Sequence, residues 1–152
     1  GRGMTPSPSL RTPEDYELYL YSILEQFSSV QSSTVTFVRR GDSLARVDGE
    51  LYFDIEIRLV VRERIVYDRL PAVIDSYGYE VWRGDEKLYW YDSQPHPDDE
   101  TLQSTHPHHK HIPPDIKHHR VPAPNMSFDS PNLPALIEEV EKLLAEIKRD
   151  EK

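Results

Sequence analysis

The chain has no cysteine, so disulfides and thiolate metal sites are excluded, and a reducing cytoplasm is the compartment to expect. No apolar run approaches the ~20 residues of a membrane span, so no membrane partner is expected. Histidine is missing before position 96 and again after position 119. Basic side chains are in deficit, 18 against 27 acidic ones, for a formal charge of −9. Seven imidazolium charges would bring it only to −2. A broadly acidic surface works against non-specific nucleic-acid binding, which draws on basic patches. An RNA contact therefore needs a local cationic spot, such as Arg39-Arg40, Arg58, Arg62 with Arg64, or Lys110 among its histidines. A basic protein partner fits the overall charge equally well.

At 152 residues the length suits one domain with a core of its own. The start, Gly1-Arg2-Gly3-Met4, lacks the form of a signal peptide and reads as a scar ahead of an initiator Met4. Residues 1–12 are small, polar and proline-containing, which predicts a disordered tail before a single domain over 13–152.

Thr12-Pro13-Glu14-Asp15 has the order of a helix start: a capping hydroxyl, a proline at the first helical position, then acids at the positive end. Tyr16, Leu20, Ile23, Leu24 and Phe27 follow at helical spacing and predict a helix over 13–30. β-branched and aromatic residues over 34–38 predict a strand, and Gly41-Asp42 and Asp48-Gly49 predict turns around a short one at 44–47. Residues 51–61 are apolar at every second position, the pattern of one half-buried antiparallel strand with a wet face. The pattern breaks near Arg62-Glu63-Arg64, where an ion pair is the simplest role for Glu63 and a site acid the next. Further strands are predicted over 72–83 and 87–92, turned by Gly84-Asp85. Seven prolines from Pro95 to Pro124 argue for a long stiffened loop there. Leu133, Leu136, Ile137, Val140, Leu143, Leu144 and Ile147 form the apolar stripe of a last helix, fit for packing on the sheet or for a partner. The fold expected is α+β: an antiparallel β-meander of about five to six strands with an N-terminal and a C-terminal helix packed on one face.

All seven histidines fall between His96 and His119, centred on Thr105-His106-Pro107-His108-His109-Lys110-His111. Imidazole titrates near neutrality and ligates metals. One reading is acid–base chemistry, with His106 and His108 or His109 and His111 as a proton-exchanging pair and a cation such as Lys110 or Arg120 stabilising phosphate charge. Residues two apart in an extended chain lie on one side, so either pair could share a pocket. A second reading is a Zn²⁺ or Mn²⁺ site on His106, His108, His109 and His111, with His96 and Asp92 as further ligands. A third is a pH switch. The fourth is a polar loop whose histidines stack on Tyr89, Trp90 and Tyr91. Asp92 follows the aromatic strand directly, a suitable place from which to orient an imidazole.

The stretch Leu88-Tyr89-Trp90-Tyr91-Asp92-Ser93-Gln94-Pro95-His96, followed by Pro107-His108-His109-Lys110-His111, resembles the TumE family of toxin–antitoxin proteins. The strand ending Val60-Val61-Arg62-Glu63 and the Tyr77-Gly78-Tyr79 strand are similar to features of the same family, and the likeness spans roughly residues 34–140. It departs at Ser93, where asparagine is common, and along 51–61, which runs on without an aspartate–glycine turn. The resemblance implies a toxin encoded beside a DNA-binding antitoxin, which would be its partner. By extension from other small toxins, RNA is the expected target and ribonuclease the expected activity. His108, His109, Lys110, His111 and Asp92 are then the expected catalytic residues, and His96, His106, Glu63, Tyr79 and Arg62 the expected binding residues. No cofactor is expected under that reading, and Zn²⁺ or Mn²⁺ under the alternative of a metal-dependent hydrolase. A non-catalytic protein-binding module is the other alternative. Exposed meander edges and the amphipathic last helix leave a homodimer open.

Overall fold

A computed structural model of the chain describes residues 8–93, 109–112, 120–122 and 126–151, with the backbone alone for His109, His111 and 120–122. Its centre is an antiparallel sheet built as a meander. The strands are β1 (Ser32–Ser33), β2 (Thr36–Arg40), β3 (Leu44–Tyr52), β4 (Ile57–Val66), β5 (Val73–Arg83), β6 (Glu86–Asp92), β7 (His109–His111) and β8 (Arg120–Pro122). β1 and β2 both pair with β3, and the rest follow in chain order to β8. Five long strands, β2 to β6, form the expected meander, and three strands of two or three residues extend it.

The helices are α1 (Pro13–Tyr21), α2 (Ile23–Gln26) and α3 (Leu133–Asp150). Thr12 caps α1 by accepting the Asp15 N–H at 3.1 Å. The single helix expected over 13–30 is broken at Ser22, whose hydroxyl donates back to the Leu18 carbonyl at 2.7 Å. Of the segment 1–12 expected as a tail, residues 8–12 are described. Residues 8–10 form a 3₁₀ turn with Leu10 buried, and the Leu10 carbonyl accepts the Ala72 N–H at 2.8 Å. Residues 1–7 lie outside the described residues.

Both flanking helices lie on one face of the sheet and share one core with it, from Tyr16 and Leu20 through Leu59, Val61 and Tyr79 to Leu136, Ile137 and Val140. Five of the seven stripe residues of α3 are buried in this core, and Leu143 and Ile147 pack at its border.

Three strand boundaries differ from the sequence reading. Asp48-Gly49 is not a turn; β3 runs straight through it to Tyr52. Gly49 has φ +150°, and a Cβ there would meet the backbone of Thr34 and Val35 where the chain crosses from β1 to β2. The long alternation over 51–61 is two strands. β3 ends, Asp54-Ile55-Glu56 turns, and β4 begins at Ile57. The Ile57 N–H donates to the Asp54 carbonyl at 3.2 Å, and Ile55 and Glu56 have φ of 57° and 59°. Positive φ at both central residues is the signature of a type I′ hairpin turn, which normally selects asparagine and glycine. The tight turn restores phase, so the apolar alternation passes through it unbroken. Finally, β4 continues through Arg62-Glu63-Arg64 to Val66. Glu63 does not interrupt the pattern; it occupies a core position.

The outer margin of β2 is closed by side chains. The Phe37 N–H donates to the Tyr21 hydroxyl at 2.9 Å, and just before the strand the Val35 N–H donates to Ser33 Oγ at 3.1 Å.

Candidate functional site

Strand alternation sorts the polar residues onto two faces. On β4, Ile57, Leu59, Val61, Glu63 and Ile65 face the helices, whereas Arg58, Arg62 and Arg64 face away. Cross-strand register extends this sorting over the whole sheet. One row reads Asp48, Arg62, Gly78, Asp92, His109, and the next Glu50, Val60, Glu80, Trp90, His111. Both rows belong to the open face.

On the helix side, Glu63 is 4 % exposed. The hydroxyls of Tyr16 from α1 and Tyr79 from β5 both donate to its carboxylate. The Tyr79 oxygen in turn accepts from Asn132 Nδ2 at 3.0 Å, at the position before α3. Asn132 spends the rest of its amide on the backbone of Ser127, at 2.7 and 3.0 Å, and so gives α3 no side-chain cap. One buried carboxylate thereby ties both flanking helices to the sheet. Burial pushes the Glu63 carboxyl up, and the two hydroxyl donors partly oppose that. Burial first, then the Glu63 charge, pushes the Tyr16 and Tyr79 hydroxyls well up. The Glu63 and Tyr79 side chains are thus buried on the helix side of the sheet, whereas that of Arg62 faces away, although all three residues line the groove on the open face.

The open face holds a groove of about 620 Å³ lined by Arg46, Arg62, Arg64, Gly78, Trp90 and Asp92 among others. The Arg62 guanidinium lies over Gly78, where even a Cβ would only touch it, at 3.7 Å, and reaches Glu80 at 3.1 Å. Arg46 stands 3.8 Å from Asp48, and Arg64 stands 3.6 Å from Asp75. Beside the groove, Lys87 sits 4.0 Å from the Trp90 ring centroid and 5.5 Å from that of Trp82, and Arg58 covers Trp82 at 4.8 Å. Cations stacked on indoles beside a row of arginines can hold planar bases and phosphates together.

The seam between β6, β7 and α3 forms the third constellation. Lys110 pairs in register with Tyr91, a helix-side residue. Its ammonium lies 3.0 Å from Glu139 Oε2 on α3, and 4.5 and 5.3 Å from the Tyr89 and Tyr91 ring centroids. The Tyr91 hydroxyl donates to the same carboxylate, at 2.8 and 3.0 Å. Burial, then the Glu139 charge, pushes the Tyr89 and Tyr91 hydroxyls up.

The expected loop over 95–124 is therefore interrupted twice by strand. His109–His111, between Pro107 and Pro113, and Arg120–Pro122, which takes a proline as its last residue, add to the sheet. Register places His109 opposite Asp92 and His111 opposite Trp90. Lys110, between them, belongs to the other face. His96, His106 and His108 lie outside the described residues, so of the four imidazoles expected to bind metal only the backbone of His109 and His111 is placed. Among the described residues no three His, Asp or Glu side chains converge as a metal site would need. Ser93, where the resemblance led one to expect asparagine, closes the sheet end by accepting the Tyr77 N–H at 2.9 Å. The sequence reading missed Gly78 as the seat of Arg62, and it missed Glu139 and Tyr16 as partners. The Tyr77-Gly78-Tyr79 strand carried the first signal, an isolated glycine inside a strand; pairs 29 and 47 residues apart leave none.

A family model described as Toxin TumE matches residues 20–149. No curated protein matches the chain, and neither does any solved structure. No helix among the described residues is long and apolar enough to cross a membrane.

Proposed function

The chain belongs to the TumE family of toxins, the toxic halves of toxin–antitoxin pairs with a cognate antitoxin as partner, and from that premise we propose that it is a ribonuclease working on the open face of its sheet. The observation that carries this reading is the register of β7, which sets His109 opposite Asp92 and His111 opposite Trp90, in line with Arg62 and Gly78. In the reaction, one imidazole takes the proton of a ribose 2′-hydroxyl as that oxygen attacks the adjacent phosphorus. A second, protonated imidazole gives its proton to the departing 5′-oxygen. Arg62 and its neighbours balance the added phosphate charge, and Trp90 offers a surface for a base. Asp92 orients the imidazole at position 109. The antitoxin is a DNA-binding protein that neutralises this activity.

The test is RNA cleavage by purified protein, together with growth after induced expression. The wild type cleaves RNA and arrests growth. Replacing both His109 and His111 by alanine lowers cleavage by about 10²-fold or more and relieves the arrest. Undiminished cleavage by that variant rejects the site. Assays after chelation, and with Zn²⁺ or Mn²⁺ restored, separate this chemistry from metal-dependent hydrolysis.

A second reading rests on the pairing of Arg62 with Glu80, Arg46 with Asp48 and Arg64 with Asp75, which already offsets the arginine charges. Under it the open face binds a protein, and no RNA is cut at any pH.

A further inference from the structure

The motif lysine sits on the wrong side of the sheet to meet a substrate held beside His109 and His111. β7 is three residues long and has only three register pairs to β6. Its outer neighbour β8 is equally short and ends in Pro122, which has no N–H to give. So brief a ladder fixes its register weakly, and a slip by one residue turns every side chain to the opposite face. Such a slip would bring the lysine into the groove and carry both histidines away from Asp92 and Trp90.

Lys110 is the one β7 residue whose register position belongs to the helix side, and it is held there from two directions. Its ammonium meets Glu139 at 3.0 Å, and it stacks against Tyr89 and Tyr91. Glu139 is itself steadied by the Tyr91 hydroxyl, so the acceptor is pre-positioned on the rigid α3. We propose that Lys110 is a positioning residue: its clasp with Glu139 locks the β7 register and thereby sets His109 opposite Asp92. The consequence for activity rests on the ribonuclease reading above; the clasp itself does not.

The experiment uses the full chain and five proteins: wild type, Lys110→Met, Lys110→Arg, Glu139→Gln and the charge exchange Lys110→Glu with Glu139→Lys. Backbone amide exchange at positions 109–111, followed by NMR, reads the clasp without reference to activity. Lys110→Met and Glu139→Gln are expected to speed exchange there by about tenfold, and Lys110→Arg and the charge exchange to restore protection. RNA cleavage and growth arrest should fall by about tenfold and recover in the same order, with the loss in kcat and KM nearly unchanged. Unaltered exchange in Lys110→Met overturns the clasp. Restored protection without restored cleavage in the charge exchange also overturns the proposal, because it puts the lysine on the substrate. If even the wild type cleaves nothing, the ribonuclease reading fails, and the exchange data still decide whether the clasp exists.

Discussion

At the scale of single residues, Glu63 has the most to reveal. Its carboxylate is the shared acceptor of two buried hydroxyls. Glu63→Ala strands both, and chemical denaturation should show a loss of about 2–4 kcal/mol. Glu63→Gln keeps an acceptor and removes the charge. Because burial raises the folded-state affinity of Glu63 for its proton above the ordinary 4.5, its contribution is full below that value and is lost as pH rises through the folded pKa. The stability of Glu63→Gln relative to the wild type should therefore improve on going from about pH 4 to neutrality. A difference flat across that range contradicts the buried-acid account. Gly49 makes the complementary case for backbone. A methyl there would sit 2.6 Å from the Thr34 carbonyl oxygen, so Gly49→Ala should lower stability by about 3 kcal/mol or more, or prevent folding. Neither role was legible from the chain alone. Glu63 lay between two arginines and invited an ion pair, and its true partners stand 47 and 16 residues away. Gly49 followed an aspartate and invited a turn, whereas its reason is a close passage of distant backbone.

At the scale of elements, sequence pattern was a good guide to type and a poor one to ends. The apolar stripe of α3 and the strands at 72–83 and 87–92 were readable because period and composition agreed. The hairpin between β3 and β4 was not, since its turn uses Ile55 and Glu56 in conformations usually left to glycine and asparagine. That mismatch has a measurable correlate. Glu56→Gly should stabilise the protein by about 0.5–1 kcal/mol, seen as a raised midpoint in urea. A fall in the midpoint would mean that the Glu56 side chain matters more than its backbone. β7 and β8 escaped notice because prolines crowd the segment, and three residues are too few for any period to show.

On the scale of the whole molecule, the sheet divides labour between its faces. Helix-side polar groups join elements, and those of the groove meet solvent. Changes on the two sides should therefore separate. Tyr79→Phe removes the link between Glu63 and Asn132 and should cost about 1–3 kcal/mol of stability. Arg62→Ala, which among the described residues removes an ion pair with Glu80 on the open face, should shift stability by less than about 0.5 kcal/mol while weakening RNA cleavage and its salt dependence. Equal stability losses from both would refute the division. Shape also bears on the company this protein keeps. A sheet with a naked strand at its rim invites another to zip alongside, and repetition of that contact grows fibres. At β2 the outward amide of Phe37 is already taken by the Tyr21 hydroxyl, and that of Val35 by Ser33. An incoming strand would first have to evict the tyrosine, so Tyr21→Phe should turn a closed margin into a sticky one.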